Sequence, residues 1–362
     1  MTIRELTGRR RTIKSSVQVR PRRPNRFHYV AYGLAIDSDL PLPELEATQH
    51  QSSPLLAGKL HVRLARPPVS VREPRDWLLQ TSLSDGQPWM WAARQEQGFL
   101  LRYVGLADFT VNPGGTEIVL AHAEPVSSRD TLGHLLLDQA LPMVLGLRGI
   151  PTLHASTVVT PRGVCGFVGP AGAGKSTLAA SFSTTGYPAL GDDCLAIKED
   201  DGGFFAIPAY PGLRLWTDSG QSLSTDWSNA PEVAHYTRKR RILNTPAAEN
   251  FPTRLEPLTV IYCLAREASG DGPSVSSPVI EPMRPNDAFL QLLSASFMLD
   301  ITDRSVLTRN LRFIERLFTT VAVRRLRIPD GFSSLPKVRA AVLKDLGVRD
   351  LGAALGAPLG ER

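Results

Sequence analysis

The tightest constraint on this chain is the stretch Gly169, Pro170, Ala171, Gly172, Ala173, Gly174, Lys175, Ser176, Thr177, set directly behind the apolar run Val164-Cys165-Gly166-Phe167-Val168. It has the form G-x-x-x-x-G-K-[S/T], which asks a strand to end, the backbone to curl and a helix to begin. Glycines free the backbone to wrap an anion, and a helix N-terminus adds unpaired N–H groups and the positive end of its dipole. Residues Gly169 to Thr177 are therefore read as a phosphate cradle for a nucleotide triphosphate. Lys175 would reach the β- and γ-phosphates and the Ser176 hydroxyl would take one position on Mg²⁺. Leu178, Ala179, Ala180 and Phe182 continue as a short apolar-faced helix that Gly186 stops.

Around this centre the pattern predicts an α/β (α+β) chain. Residues 1–26 form a basic tail, expected to be disordered. Residues 27–148 form a β-rich region ending in a helix, 149–330 the nucleotide domain, and 331–362 a last helix with a frayed end. In the β-rich region, short apolar runs such as Leu60 to Leu64, Trp89 to Ala92, Phe99 to Val104 and Glu117 to Ala121 are broken by Gly, Pro, Asn and Asp. Trp77, Trp89 and Trp91 are read as sheet-face or core residues. Leu132 to Leu147 reads as an amphipathic helix kinked at Pro142. It is too short, and too polar at His134 and Asp138, to span a membrane. Beyond the loop, a hairpin (Cys194 to Ile197, Phe204 to Ile207) and a buried strand (Leu258 to Leu264) are expected. Helices at about 287–298 and 305–321, a strand near 323–328 and a helix near 336–346 follow.

The net charge of +6 resides in the tail, where nine basic side chains face Glu5 alone; the rest carries 32 basic and 34 acidic residues. Such a segment cannot bury enough surface to fold, and the charge therefore does not argue for nucleic-acid binding by the folded part. The three cysteines, Cys165, Cys194 and Cys263, show neither disulfide nor zinc spacing, which fits a cytoplasmic protein. No apolar stretch of secretory type follows the arginines.

A phosphate cradle only binds; the reaction depends on what stands opposite the γ-phosphate. Asp192 and Asp193, at the mouth of a short extended segment, are the candidates. Adjacent carboxylates on extended chain point to opposite sides, so one can hold Mg²⁺ while the other takes a proton from an attacking hydroxyl. His154, on a strand-like run before the loop, could adjust that base. Arg214, in a turn-bearing stretch, and Arg238, Arg240 and Arg241, in the densest basic run outside the tail, are further candidates for phosphate or an acidic peptide. The chain lacks the Asn/Thr-Lys-x-Asp element of GTPases. Leu258 to Leu264 also lacks the Asp-Glu ending of motor ATPases.

His154-Ala155-Ser156, the loop Gly169 to Ser176, and Gly191-Asp192-Asp193 resemble, in order and spacing, the catalytic domain of HPr kinase/phosphorylase over about residues 150–265. The likeness is nearer to the HPr kinase-related proteins, some encoded beside lasso-peptide genes, that phosphorylate a precursor peptide on a serine. It extends to Tyr32-Gly33-Leu34-Ala35-Ile36, to Leu40-Pro41-Leu42-Pro43-Glu44-Leu45 and to Pro211-Gly212-Leu213-Arg214-Leu215-Trp216. The resemblance implies a P-loop domain of HPr kinase / PEP carboxykinase-like type. It implies Asp192 as base, Asp193 and Ser176 at the metal, Lys175 at the phosphates and His154 beside the base. Thr177 stands where the bifunctional enzymes carry Glu, and their Arg-Gly-x-Gly-Ile stretch is not found, departures that leave phosphorylase activity and HPr as substrate open. The expected activity is ATP-dependent serine phosphorylation of a protein or small peptide. The alternatives are an ATP-binding regulatory protein and a small-molecule kinase. No membrane or nucleic-acid partner is expected, and a homo-oligomer is left open.

Overall fold

The computed structural model describes residues 26–48, 54–65, 73–83, 85–122, 128–223, 227–242, 251–266 and 276–348. Apart from Arg26, the expected basic tail lies outside the described residues, as does the end expected to fray at 351–362.

Alternation of buried and open residues builds the first sheet. Its strands are β1 (Phe27–Ala31), β2 (Leu34–Ser38), β3 (Lys59–Leu64), β4 (Leu79–Ser82), β5 (Pro88–Gln95), β6 (Gly98–Tyr103), β7 (Ala107–Val111) and β8 (Glu117–His122). They lie in the order β1-β2-β3-β8-β7-β6-β5-β4, parallel only at β2-β3 and β3-β8. Along β7, Ala107, Phe109 and Val111 are buried while Asp108 and Thr110 are not, the period-two mark of a sheet covered on one face. The β1-β2 hairpin turns through Tyr32 and Gly33, both at positive φ (52° and 69°), as a two-residue turn of right-handed strands requires. The tryptophans sit on this sheet: Trp77 meets Trp91 edge-on and Trp89 meets Tyr103.

A helical rod covers the sheet's inner face: α1 (Arg129–His134), a π-helical turn (Leu135–Ala140) and α2 (Leu141–Leu147). The Ser128 hydroxyl caps it, accepting from the Thr131 N–H at 3.1 Å. Leu132, Leu136, Ala140 and Val144 share one core with Leu60, Leu101 and Phe109. Just before Pro142, where a kink is expected, the structure has the π-turn, with the Leu141 N–H reaching back to the Leu136 carbonyl. Proline cannot donate, and its ring crowds the carbonyl four residues earlier; a widened turn upstream accommodates both.

The second sheet contains β9 (Thr152–Leu153), β10 (Ala155–Thr160), β11 (Gly163–Val168), β12 (Ala189–Gly191), β13 (Leu195–Asp200) and β14 (Gly203–Ile207). After a separate two-stranded ladder of β15 (Leu213–Leu215) and β16 (Arg240–Ile242), it gains β17 (Glu256–Arg266), β18 (Val279–Pro282) and β19 (Ala322–Ile328). The order is β12-β10-β11-β17-β14-β13-β9, with β19 also on β17 and β18 on β19. Strands β11, β17 and β19 are parallel. Their alternating residues feed two cores. Cys165, Phe167 and Tyr262 join α3 (Lys175–Ser183) and α7 (Leu335–Asp345) on one face; Val164, Val168 and Ile261 join α5 (Pro285–Ala295) and α6 (Arg304–Thr320) on the other. Helix α3 is buried nearly all round rather than along one apolar face, because the sheet lies beneath it and α4 (Thr217–Leu223) and α7 pack above.

The chain is thus mixed α/β. The core of the first sheet takes in Cys194, Ala196, Ile207, Ala209 and Tyr210, so it continues across residue 149. All three cysteines are free and buried, and burial pushes their thiols up, Cys263 to about 12. Among the described residues, no helix is long and apolar enough to cross a membrane.

Candidate active site

Strand register brings the loop, His154 and the two aspartates to one edge of the second sheet. β10 is antiparallel to β11 with Ala155 opposite Val168, so His154 stands beside the start of the loop. On the other side of β10, Gly191 of β12 lies opposite Thr157, so Asp192 and Asp193 leave β12 toward that same edge. Strand spacing sets the separation of β11 and β12 at about 10 Å.

Gly172 (φ 80°) and Gly174 (φ 95°) bend the loop through the left-handed region that a side chain resists. Lys175 is buried, its Nζ donating to the carbonyls of Gly169 (2.9 Å) and Pro170 (3.2 Å). Burial lowers its pKa, Asp193 and Asp192 oppose that shift, and Lys239 adds to it. The Thr177 and Ser219 hydroxyls lie 3.0 Å apart and join α3 to α4. The Ser176 hydroxyl has no hydrogen-bond partner among the described residues.

The aspartates do not lie on extended chain as the sequence reading has it. β12 ends at Gly191 and Asp193 adopts φ 65°, so the carboxyl groups diverge through a turn. Asp192 Oδ1 accepts from Ser156 Oγ (2.6 Å) and the Asp193 N–H (3.1 Å), and Oδ2 accepts from the Arg214 N–H (2.9 Å). The Asp193 carboxylate has no hydrogen-bond donor among the described residues. Burial and the neighbouring Asp193 charge push Asp192 up, against the pull of Arg214 and Ser156. Burial alone would raise Asp193 too, but Lys239, His154, Arg214 and His134 outweigh it and hold it well below the usual carboxylate range. Neighbours with divergent proton affinities can take different tasks.

His154 Nδ1 lies 3.0 Å from the Asp193 carbonyl oxygen. A carbonyl only accepts, so Nδ1 carries the proton and Nε2 the lone pair. Burial lowers the pKa of His154 against the attraction of Asp193.

Arg214 is fully buried, and its chief partner is Asp138, at 2.9 Å from Nε. Asp138 projects from the π-turn and also meets His134 Nδ1 at 2.6 Å and the Tyr210 hydroxyl, which in turn bonds Arg214. Asp138 of the π-turn and Asp192 beyond β12 are thereby joined through Arg214. Sequence reasoning passed over Asp138 as a mere interruption of an apolar helix. Its signal is the polar pair at i and i+4, His134 and Asp138, inside an otherwise apolar run.

The basic run divides. Arg241 is buried against Glu44 (2.8 Å) and reaches Asp130 (3.1 Å). Arg240 donates to the Ser228 carbonyl at 2.8 Å and covers the Trp227 ring. Arg238 is exposed. Lys239, read from the sequence only as part of this run, acts on both aspartates and on Lys175, and its Nζ lies 5.6 Å from the centroid of the half-exposed Trp216.

No family model matches the chain, and no curated protein matches it. Among solved structures, the chain is similar to the Hpr(Ser) kinase/phosphatase from Coxiella burnetii, with a TM-score of 0.31 and 12% identity, over 54% of this chain and 97% of that one. A likeness at that level assigns no chemistry.

The donor set suits Mg²⁺. This ion takes one or two protein oxygens and completes its octahedron with phosphate and water. The Ser176 hydroxyl and the Asp193 carboxylate are hard oxygen ligands to which no described protein group donates a hydrogen bond. Among the described residues there is no cluster of three or more His, Cys, Asp or Glu that could hold a metal.

Proposed function

We propose that the chain is an ATP-dependent kinase that transfers the γ-phosphoryl group to a serine hydroxyl on a protein or small peptide, a ribosomally made precursor being one such acceptor. The observation that carries this reading is the strand register that brings the aspartate pair to the end of the sheet where the loop begins. The loop amides and Lys175 would hold the phosphates, Lys175 exchanging the Gly169 and Pro170 carbonyls for phosphate oxygens. Ser176 and Asp193 would hold Mg²⁺, which supplies charge neutralisation across the phosphoryl oxygens. Asp192 uses three of about four lone-pair sites on protein donors and keeps one, on Oδ2, for the acceptor proton. The serine O–H bond would break, an O–P bond form, and the β–γ bridge leave with ADP.

γ-Labelled ATP incubated with serine-bearing peptides, their alanine versions and small alcohols tests this. Label on serine peptides alone is the expected result. Label on alcohols alone would mean a small-molecule kinase, and ATP binding without transfer a regulatory protein.

The lack of a protein donor on the Asp193 carboxylate is compatible with either assignment of the two aspartates. Rates measured against Mg²⁺ concentration separate the assignments. Asp193→Asn should raise the Mg²⁺ requirement and be partly rescued by excess metal, whereas Asp192→Asn should not be rescued. The reverse pattern would exchange the roles.

A further inference from the structure

Away from the loop, α2, β13, α6 and the segment 297–300 enclose a cavity of about 270 Å³. Met143, Ile197, Phe297 and Phe313 give it apolar walls. At its rim, Arg316 is already paired with Glu199 and Asp300 with Arg94. Two donors are left over. Asn310 Nδ2 is buried without a hydrogen-bond partner, and Arg309 has no ion pair or hydrogen bond among the described residues. An apolar chamber of about 150 Å³ accepts benzene, so this space takes a longer hydrocarbon body. The buried Asn310 N–H and the exposed Arg309 guanidinium both donate, and the second is cationic. Their complement is an anionic, acceptor-only head that can take both, which a carboxylate provides.

We propose that this cavity binds a small amphipathic carboxylate, with the hydrocarbon between α2 and α6 and the carboxylate on Asn310 and Arg309. The same wall touches the candidate active site. Phe297 meets the His154 ring edge-on, with centroids 5.9 Å apart, and donates its N–H to the Thr152 carbonyl at 3.1 Å. The His154 N–H donates to the Ala295 carbonyl at 2.6 Å. A ligand pressing on Phe297 therefore bears on His154, whether or not the loop transfers phosphate.

Gly146, on α2, allows a clean test. A β-carbon there meets nothing nearer than the Phe297 carbonyl oxygen at 3.7 Å, so Gly146→Leu fits its backbone and fills the chamber. The full chain is titrated calorimetrically with octanoate and with octan-1-ol, and the His154 ring resonance, assigned through His154→Asn, is followed by NMR. Wild type should bind one octanoate saturably and shift the His154 signal. Gly146→Leu should weaken both ligands at least ~10-fold. Arg309→Ala combined with Asn310→Leu, on the cavity rim, should weaken octanoate at least ~10-fold and leave octan-1-ol unchanged. Absent saturation, undiminished binding by folded Gly146→Leu, or equal loss of both ligands in the rim variant would overturn the site. An unmoved His154 signal during saturable binding would overturn the link to His154.

Discussion

Asp192 shows how a side chain can be nominated from sequence while its setting stays illegible. Its place after a glycine-rich loop nominates it for chemistry, but the three donors that orient it come from Ser156, Asp193 and Arg214, up to 36 positions away. Lys175→Ala or Asp192→Asn should lower turnover at least about tenfold, about 1.4 kcal/mol of transition-state stabilisation. Initial rates on one labelled peptide check this, and an unchanged rate removes the residue from the mechanism. Asp138 acts at one remove, through Arg214. Asp138→Asn would leave a buried guanidinium without its charge partner, at a cost of about 3–5 kcal/mol. Urea unfolding reads that loss. Because the Arg214 backbone holds Asp192 Oδ2, the pH at half-maximal rate should move as well, which a purely structural loss would leave in place. Asp138 escaped the sequence because its meaning depends on residues 72 and 76 positions later. The basic run shows the same limit: four adjacent cations read alike until the fold assigns one to Glu44, one to a carbonyl and one to the aspartates.

At the scale of elements, periodicity carried further. The hairpin expected around residues 194–207 is β13-β14, with Asp200 opposite Gly203. The helices and strand expected after residue 285 are present as α5, α6, β19 and α7. The short pieces were not legible. β15, β16 and β18 span only three or four residues, too few for alternation to show, and pairing across the fold defines them. Nor could α3 reveal that it is covered all round, because α4 and α7 come from elsewhere in the chain. α4 offers a direct test. A β-carbon on Gly220 would fall 1.9 Å from the buried Trp227 ring, while neighbouring Ser219 holds Thr177 beside the loop. Gly220→Ala should therefore cost about 1–3 kcal/mol by overpacking. It should also weaken ATP binding, as α4 shifts against α3. Thermal unfolding and nucleotide titration measure the two effects, and full stability would show that the ring moves aside freely.

For the whole molecule, the boundary drawn near residue 149 hides how the halves are joined. One core runs from the first sheet into Cys194, Ala196 and Tyr210, and Arg241 of β16 is buried against Glu44, which follows β2. A shared core predicts one cooperative transition, with near- and far-ultraviolet dichroism changing together on denaturation. The Glu44–Arg241 pair tests the joint itself. Arg241→Met would leave the Glu44 carboxylate buried and unpaired, a loss of about 3–5 kcal/mol near neutral pH. Burial already raises the pKa of Glu44 against the pull of Arg241, so losing Arg241 should raise it further. A folded pKa above the unfolded value of about 4.3 means that the native state holds the proton more tightly. The variant's deficit should then be smallest below about pH 4 and grow as pH rises through the folded Glu44 value. Glu44→Gln added to Arg241→Met removes the titrating group and should flatten that dependence. Urea midpoints of the three proteins between about pH 4 and 8 decide the matter. A deficit equal at every pH would show that Arg241 contributes through its packing alone.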